Sequence, residues 1–231
     1  MKYKKPRGLS RVKKERSKMK KLILSCVIMF ILTIPIFTII FFNNKEDNLK
    51  TYKGLPVTYE KASYRYDTTD PKIAVGVSDY VYIAKVNKIL KTDYRNPIEV
   101  SEGLIGKKTV TDPYTIYEIE VIKNIKGTLP LNKKINLVQY GGLNEDEKSY
   151  TFLEGGFLLE NNTYYLLMST IIPTTGELET TDINRIIKIS DYSNNKEVTS
   201  LINQYNNIYQ NETIPEGHTS FKNKISQEYL S

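Results

Sequence analysis

The sequence predicts a mainly β domain, a small closed or partly closed barrel of five strands with an amphipathic helix after it, preceded by one transmembrane helix. Three observations predict this. Residues Leu22 to Phe42 form an unbroken apolar run. Between residues 80 and 189, apolar residues recur with a period of two, in segments cut by Gly and Pro turn signals. After Ser193 the period changes to that of a helix.

The apolar run LILSCVIMFILTIPIFTIIFF has 21 residues and no charge. As a helix rising 1.5 Å per residue it spans roughly 31 Å, about the thickness of a bilayer's hydrocarbon core. Pro35 in its second half is tolerable in a membrane helix and favours a kink. The run exceeds the apolar region of a cleaved signal peptide, and no Ala-x-Ala pattern follows it. Cys26 has only four apolar or small residues ahead of it, which excludes a lipoprotein signal. The reading is an uncleaved signal anchor. Residues 1–21 carry eleven Lys or Arg against Glu15 alone. Positive flanks stay in the cytoplasm, so residues 43–231 are expected outside the cell.

The chain's net charge of +7 would suit a nucleic-acid binder. Removing those eleven residues from 33 Lys and Arg, and Glu15 from 26 Asp and Glu, leaves 22 against 25, a net −3. The basic excess lies in the tail, not on the domain, and nucleic acid is excluded as a partner. The expected partner of residues 1–42 is the lipid bilayer, through Leu22 to Phe42. Cys26 is the only cysteine, so disulfides, thiolate metal sites and a Cys nucleophile are excluded outside the membrane. Usage rich in Lys, Asn, Ile and Tyr, with no disulfides, points to a bacterial cell envelope, and the two Asn-x-Thr sequons (Asn161 and Asn211) read as chance.

Beyond the span, residues 43–70 are polar and aperiodic and read as a stalk. Pro71 opens a short helix or turn, since proline suits the first helical turn. Residues 80–90 read as a strand, with Val81 and Ile83 on one face and Tyr80, Tyr82 and Ala84 on the other. Residues 91–112 hold Asn96-Pro97, Gly103, Gly106 and Asp112-Pro113 and read as a long loop with room for a small hairpin. The clearest alternation is YTIYEIEVIKNIKG, residues 114–127, which sets Tyr117, Ile119 and Val121 opposite Ile116, Glu118, Glu120 and Ile122. KINLVQY follows as a third strand and stops at Gly141-Gly142. After a loop-like stretch, YYLLMSTII reads as a central strand buried on both faces. ELETTDINRIIKI reads as a last strand bent near Asp182. Val198, Leu201, Ile202, Tyr205, Ile208 and Tyr209 then mark one face of a helix. The domain is placed at residues 71–210, with 211–231 as a flexible tail.

Five strands and a helix suggest the OB-fold architecture. SDYVYIAKVNKI, YTIYEIEVIKNIKG, KINLVQYGG and NTYYLLMST also resemble, in their order of strands and Lys-Gly turn, the OB-fold domain of the tissue inhibitors of metalloproteinases and netrin-like modules. The resemblance covers roughly residues 73–205 and implies a fold and a binding role. It carries over no inhibitory residue, because the family's zinc-chelating N-terminal cysteine has no counterpart outside the membrane.

Chemistry-bearing residues are few. The single histidine, His218, falls in the tail and reads as solvated. Glu118 and Glu120 share a strand face, as a pair of glycosidic carboxylates could, but alternating Glu on a strand reads as a solvated surface. Glu145, Asp146 and Glu147 could face a hard cation yet lack the spacing of a calcium loop. The chain has 18 Tyr and no Trp. Tyr114, Tyr117, Tyr140, Tyr164 and Tyr165 could stack sugars or bases on a barrel face, or fill the core. No catalytic, cofactor or metal residue is assigned. The expectation is a membrane-anchored, non-enzymatic binding domain for a protein or glycan of the envelope, with a Tyr-lined patch near residues 91–112 and 173–176. Its rivals are an envelope enzyme with a carboxylate or metal site, and a structural subunit of a membrane complex.

Overall fold

The computed structural model describes residues 51–101 and 106–226, within a compact unit that starts at Lys50. The expected basic tail and the apolar run Leu22 to Phe42 lie outside the described residues. No helix among the described residues is long and apolar enough to cross a membrane.

The chain enters through β1 (Thr51–Tyr52) and β2 (Leu55–Glu60), then α1 (Pro71–Gly76). Two long strands follow, β3 (Tyr80–Ser101) and β4 (Lys107–Lys126). Next come β5 (Lys134–Tyr140), β6 (Gly142–Leu143), β7 (Tyr150–Leu153), β8 (Thr163–Ile171) and β9 (Leu178–Glu179). A 3-10 turn at Ile183–Arg185 leads into β10 (Ile186–Ile189), and α2 (Asn195–Gln210) closes the regular structure. The larger sheet runs β10-β8-β3-β4-β5-β9, and β9 also pairs with β8. Strands β3, β4, β5, β9 and β8 therefore close into a ring, in which β5–β9 is the parallel pair. The protein is mainly β, with a closed-ring sheet and a C-terminal helix.

Strand alternation builds two cores. Tyr82, Ala84 and Val86 of β3 meet Tyr117 and Ile119 of β4, Leu137 of β5, Tyr165 and Leu167 of β8 and Leu178 of β9 inside the ring. Val81, Ile83, Leu166 and Met168 point the other way, where Ala74 and Val75 of α1 and Val198 and Tyr205 of α2 cover them. β8 is thus buried on both faces, as its sequence predicts. Tyrosine hydroxyls inside the ring are satisfied: Tyr82 bonds Ser169 at 2.9 Å, and Tyr117 donates to Gln139 at 2.8 Å and accepts from the Leu159 amide at 3.1 Å.

Four expectations are corrected. Residues 91–101 and 107–112 are not loop but the outer half of a two-stranded arm, paired from Lys91↔Ile116 out to Ser101↔Lys107, a far longer hairpin than the small one the sequence left room for. The Asn96-Pro97 signal marks a register shift between Arg95 and Ile98 rather than a chain reversal; a proline lacks the N–H that a regular ladder uses, so bulges accommodate it. Residues 51–60, expected in the stalk, form strands, and β2 pairs in parallel with β7 through Val57↔Tyr150 to Glu60↔Leu153. The domain therefore begins ahead of residue 71. The last expected strand is broken at Asp182 into β9, the 3-10 turn and β10.

The fourth correction concerns the tail. Residues 211–226 form a strap held along its length. The Thr213 amide donates to the Lys72 carbonyl at 3.1 Å, Glu212 pairs with Lys126 at 2.6 Å, and the Ser226 amide donates to the Gly176 carbonyl at 3.0 Å. Phe221 and Ile225 pack against the ring core. Gly76 permits this approach: a Cβ there would lie 2.0 Å from the Thr213 carbonyl oxygen.

Candidate functional site

The stalk and tail segments, both expected to be unstructured, wall a cavity of about 190 Å³. Tyr64, Arg65, Tyr66 and Thr68 come from the stretch after β2, Thr170 from the end of β8, Asp182 and Arg185 from the turn before β10, and His218 from the strap.

Asp182 is fixed by its own turn. Its Oδ1 accepts the Asn184 amide at 2.9 Å, capping the 3-10 helix. This leaves Oδ2 facing Arg185 Nε at 3.7 Å, too far for a hydrogen bond. The Asp182 side chain is 1% exposed and that of Arg185 12%. Asp182 Oδ2, Arg185 Nε and the Tyr66 hydroxyl are, among the described residues, the buried side-chain polar atoms that have no hydrogen-bond partner. All three residues line this one cavity. An unmade buried hydrogen bond costs about 1–3 kcal/mol, and the Asp182–Arg185 ion pair across 3.7 Å offsets part of that cost.

Burial and charge tune the surroundings. Burial lowers the Arg185 pKa from its ordinary 12.5, against the pull of Asp182 and Glu179; a guanidinium still stays charged at neutral pH. Burial, and then Asp182, raises the Tyr64 phenol. His218 packs edge-on to Tyr66 with centroids 5.8 Å apart, and burial holds its imidazole below the usual 6.5. It is therefore neutral at pH 7. A second cleft of about 380 Å³ shares Arg65, Tyr66, Thr170 and His218 and adds Asp79, Glu179 and Phe221. Burial raises the Glu179 carboxyl.

Ser220, His218 and Asp79 come near one another but not in the order a hydrolase uses. The Ser220 hydroxyl donates to Asp79 Oδ1, which also accepts the Phe221 amide at 3.1 Å, while Asp79 Oδ2 accepts the Ile171 amide at 2.9 Å. Asp79 thus anchors the strap to β8, and the hydroxyl is turned to the carboxylate rather than to an imidazole base.

The residues singled out in the sequence scatter. Tyr117 and Tyr165 are core, with no exposed surface. Tyr164 stacks on Tyr192 at 3.9 Å, away from Tyr114 and Tyr140, which meet edge to face at 5.2 Å. Arg95 lies 4.7 Å over the Tyr114 ring and forks onto Glu177 at 2.7 and 2.8 Å. Thr175 also donates to Glu177 at 2.8 Å, so Glu177 links the two stretches, next to the Tyr114 ring under Arg95. Glu118 is engaged by Lys134 at 3.0 Å. Glu145, Asp146 and Glu147 are exposed on a turn. Among the described residues, no group of three His, Cys, Asp or Glu side chains could hold a metal ion. His218 is not solvated in a tail but half-buried in the cleft wall.

Sequence reasoning missed Tyr64, Tyr66, Asp182 and Arg185. The available signal was local: Tyr64 and Tyr66 alternate around Arg65, and Asp182 sits where a capping residue precedes a turn.

No family model matches this chain, and no curated protein matches it.

Proposed function

We propose that this chain is a single-pass membrane protein of a bacterial envelope, holding a non-enzymatic binding domain outside the cell, and that the Asp182–Arg185 cleft receives its partner. One observation carries the reading: Tyr66, Asp182 and Arg185, drawn from segments far apart in the chain, line one cavity together with Tyr64 and His218. A cavity that sets aromatic rings beside a buried Asp182–Arg185 ion pair is suited to recognition. The partner is a protein or glycan of the cell surface. Anchoring rests on the apolar run Leu22 to Phe42 and its basic flank.

The finer fold is an OB-type barrel. The closed five-stranded ring with one parallel pair, β5–β9, supports it. The likeness of its strands to the tissue inhibitor of metalloproteinases and netrin-like modules is part of the same proposal.

The test is capture from intact cells with the full-length chain as bait, alongside protease added from outside. The expected result is recovery of an envelope protein or wall glycan, with the domain digested from outside in cells stripped of their wall. A domain protected in such cells refutes the orientation. Capture of nothing by the folded protein refutes the binding role.

A further inference from the structure

Resting on that reading for the anchor alone, we infer that the outer half of the β3–β4 arm lays one apolar face on the surface of the bilayer that holds Leu22 to Phe42. Ile98, Val100 and Val110 make the contact.

Among the described residues the arm has no third strand beyond Lys91. β8 pairs β3 only over Tyr80–Val86, and β5 pairs β4 only over Thr115–Glu120. A two-stranded ribbon is marginal in water unless something covers a face of it. The register sorts its side chains. Ile98 stands opposite Val110, and Val100 opposite Lys108, so these four share a face. Glu99, Ser101, Lys107 and Thr109 share the other. Ile98 is 61% exposed, and Val100 and Val110 are each 41% exposed. An apolar cluster open to solvent on one side of a polar ribbon marks a contact with lipid or protein.

Charge favours lipid. The apolar face of this outer stretch carries one charge, the exposed Lys108, of the sign that anionic headgroups attract. On the other face Glu99 and Lys107 neutralise each other at 2.6 Å. The acidic turn Glu145 to Glu147 meets the arm nearer the ring, where the Thr111 hydroxyl donates to Glu145 at 3.3 Å, so that charge sits behind the contact.

Reach agrees. Thr51 follows Phe42 by nine residues, at most roughly 32 Å of extended chain. The arm rises roughly 33 Å from Lys91 to Ser101. The chain also enters on the arm's side. Read backward from Tyr52, β1 runs antiparallel beside β2 toward Glu60, and Glu60 lines a cavity of about 400 Å³ with residues 108–113 of the arm. Three side chains are too few for a stable dimer, which takes roughly 20–30 residues a side. They suffice against a surface to which the chain is already tethered.

The experiment uses the full-length chain in vesicles of phosphatidylcholine and phosphatidylglycerol, labelled with nitrobenzoxadiazole at one cysteine at a time. Quenching by spin-labelled phosphatidylcholine reads contact with lipid, and quenching by iodide reads contact with water. The native Cys26 reports the anchor. Ile98→Cys and Val110→Cys report the apolar face, and Ser101→Cys and Thr109→Cys the polar face, each combined with Cys26→Ser. Labels at 98 and 110 should shift their emission to the blue and lose it to the lipid quencher. Labels at 101 and 109 should lose it to iodide. Two positions on each face keep the answer if one label disturbs the arm. Iodide quenching at all four, with the Cys26 label in lipid, would overturn the inference and leave the anchor standing. Shielding of 98 and 110 from both quenchers would overturn it too, since a second copy then covers the face. A Cys26 label quenched by iodide would refute the anchor and this inference with it.

Discussion

Lys126 offers the sharpest test of how the strap is held. Its ammonium donates to the Val75 carbonyl at 2.8 Å and to the Gly76 carbonyl at 3.3 Å, pairs with Glu212 at 2.6 Å, and lies 5.7 Å over the Tyr209 ring. One charge thus joins α1, α2 and the strap. The Lys126 side chain is 8% exposed and that of Glu212 17%. Lys126→Met keeps the stem packing and deletes the charge. Removing one partner of a buried pair costs about 3–5 kcal/mol. The low end applies, because Glu212 can turn to water and the Val75 carbonyl keeps the Ser78 amide at 3.2 Å. A loss of about 3 kcal/mol in a domain of this size lowers Tm by roughly 6–12 °C. Thermal melts by circular dichroism measure this, and limited proteolysis should show new cleavage within residues 211–226. In a double-mutant cycle, Glu212→Gln should cost less once Lys126 is gone. A melt within 2 °C of the parent, with the strap still protected, would refute the reasoning.

Two further expectations use different measurements. Tyr117→Phe strands the Leu159 amide and Gln139 Oε1 inside the ring and should cost about 2–3 kcal/mol in urea unfolding; a change under about 0.5 kcal/mol would show that the core repairs the loss. Burial raises the Glu179 carboxyl above its ordinary 4.5. Its folded state therefore holds the proton more tightly than the unfolded chain, and its contribution is fully present below pH 4.5 and lost as pH rises through the folded value. Glu179→Gln should raise Tm at pH 7 and lose that advantage near pH 4; an advantage that is the same at both values would contradict the burial argument.

Local periodicity revealed what depends on one strand or helix at a time. Val81 and Ile83 separate from Tyr82 and Ala84 onto two cores, and Val198 to Ile208 face the sheet, because side-chain direction follows from backbone period alone. Pairings between distant segments have no such imprint. The parallel match of Leu55–Glu60 with Tyr150–Leu153 joins residues almost a hundred positions apart. The strap has no apolar period, because backbone amides and the Asp79 and Lys126 side chains hold it along most of its length, and only near its end do Phe221 and Ile225 pack on the ring core. The cleft is drawn from those segments, so it was illegible for the same reason. Asn96-Pro97 misled differently: a residue pair that commonly turns a chain here only slips a ladder.

The way the cleft is assembled has a consequence for how the protein acquires it. The β3–β4 arm pairs neighbours in sequence, an inexpensive closure that rewards the chain early. The cleft instead waits for Tyr64 and Tyr66 from the start of the domain to meet Asp182, Arg185 and His218 from its last third. Ring formation can precede it, and the final wall arrives only when the strap docks on Asp79. During folding, binding competence should therefore appear after most β structure has formed, as a late, separate kinetic phase.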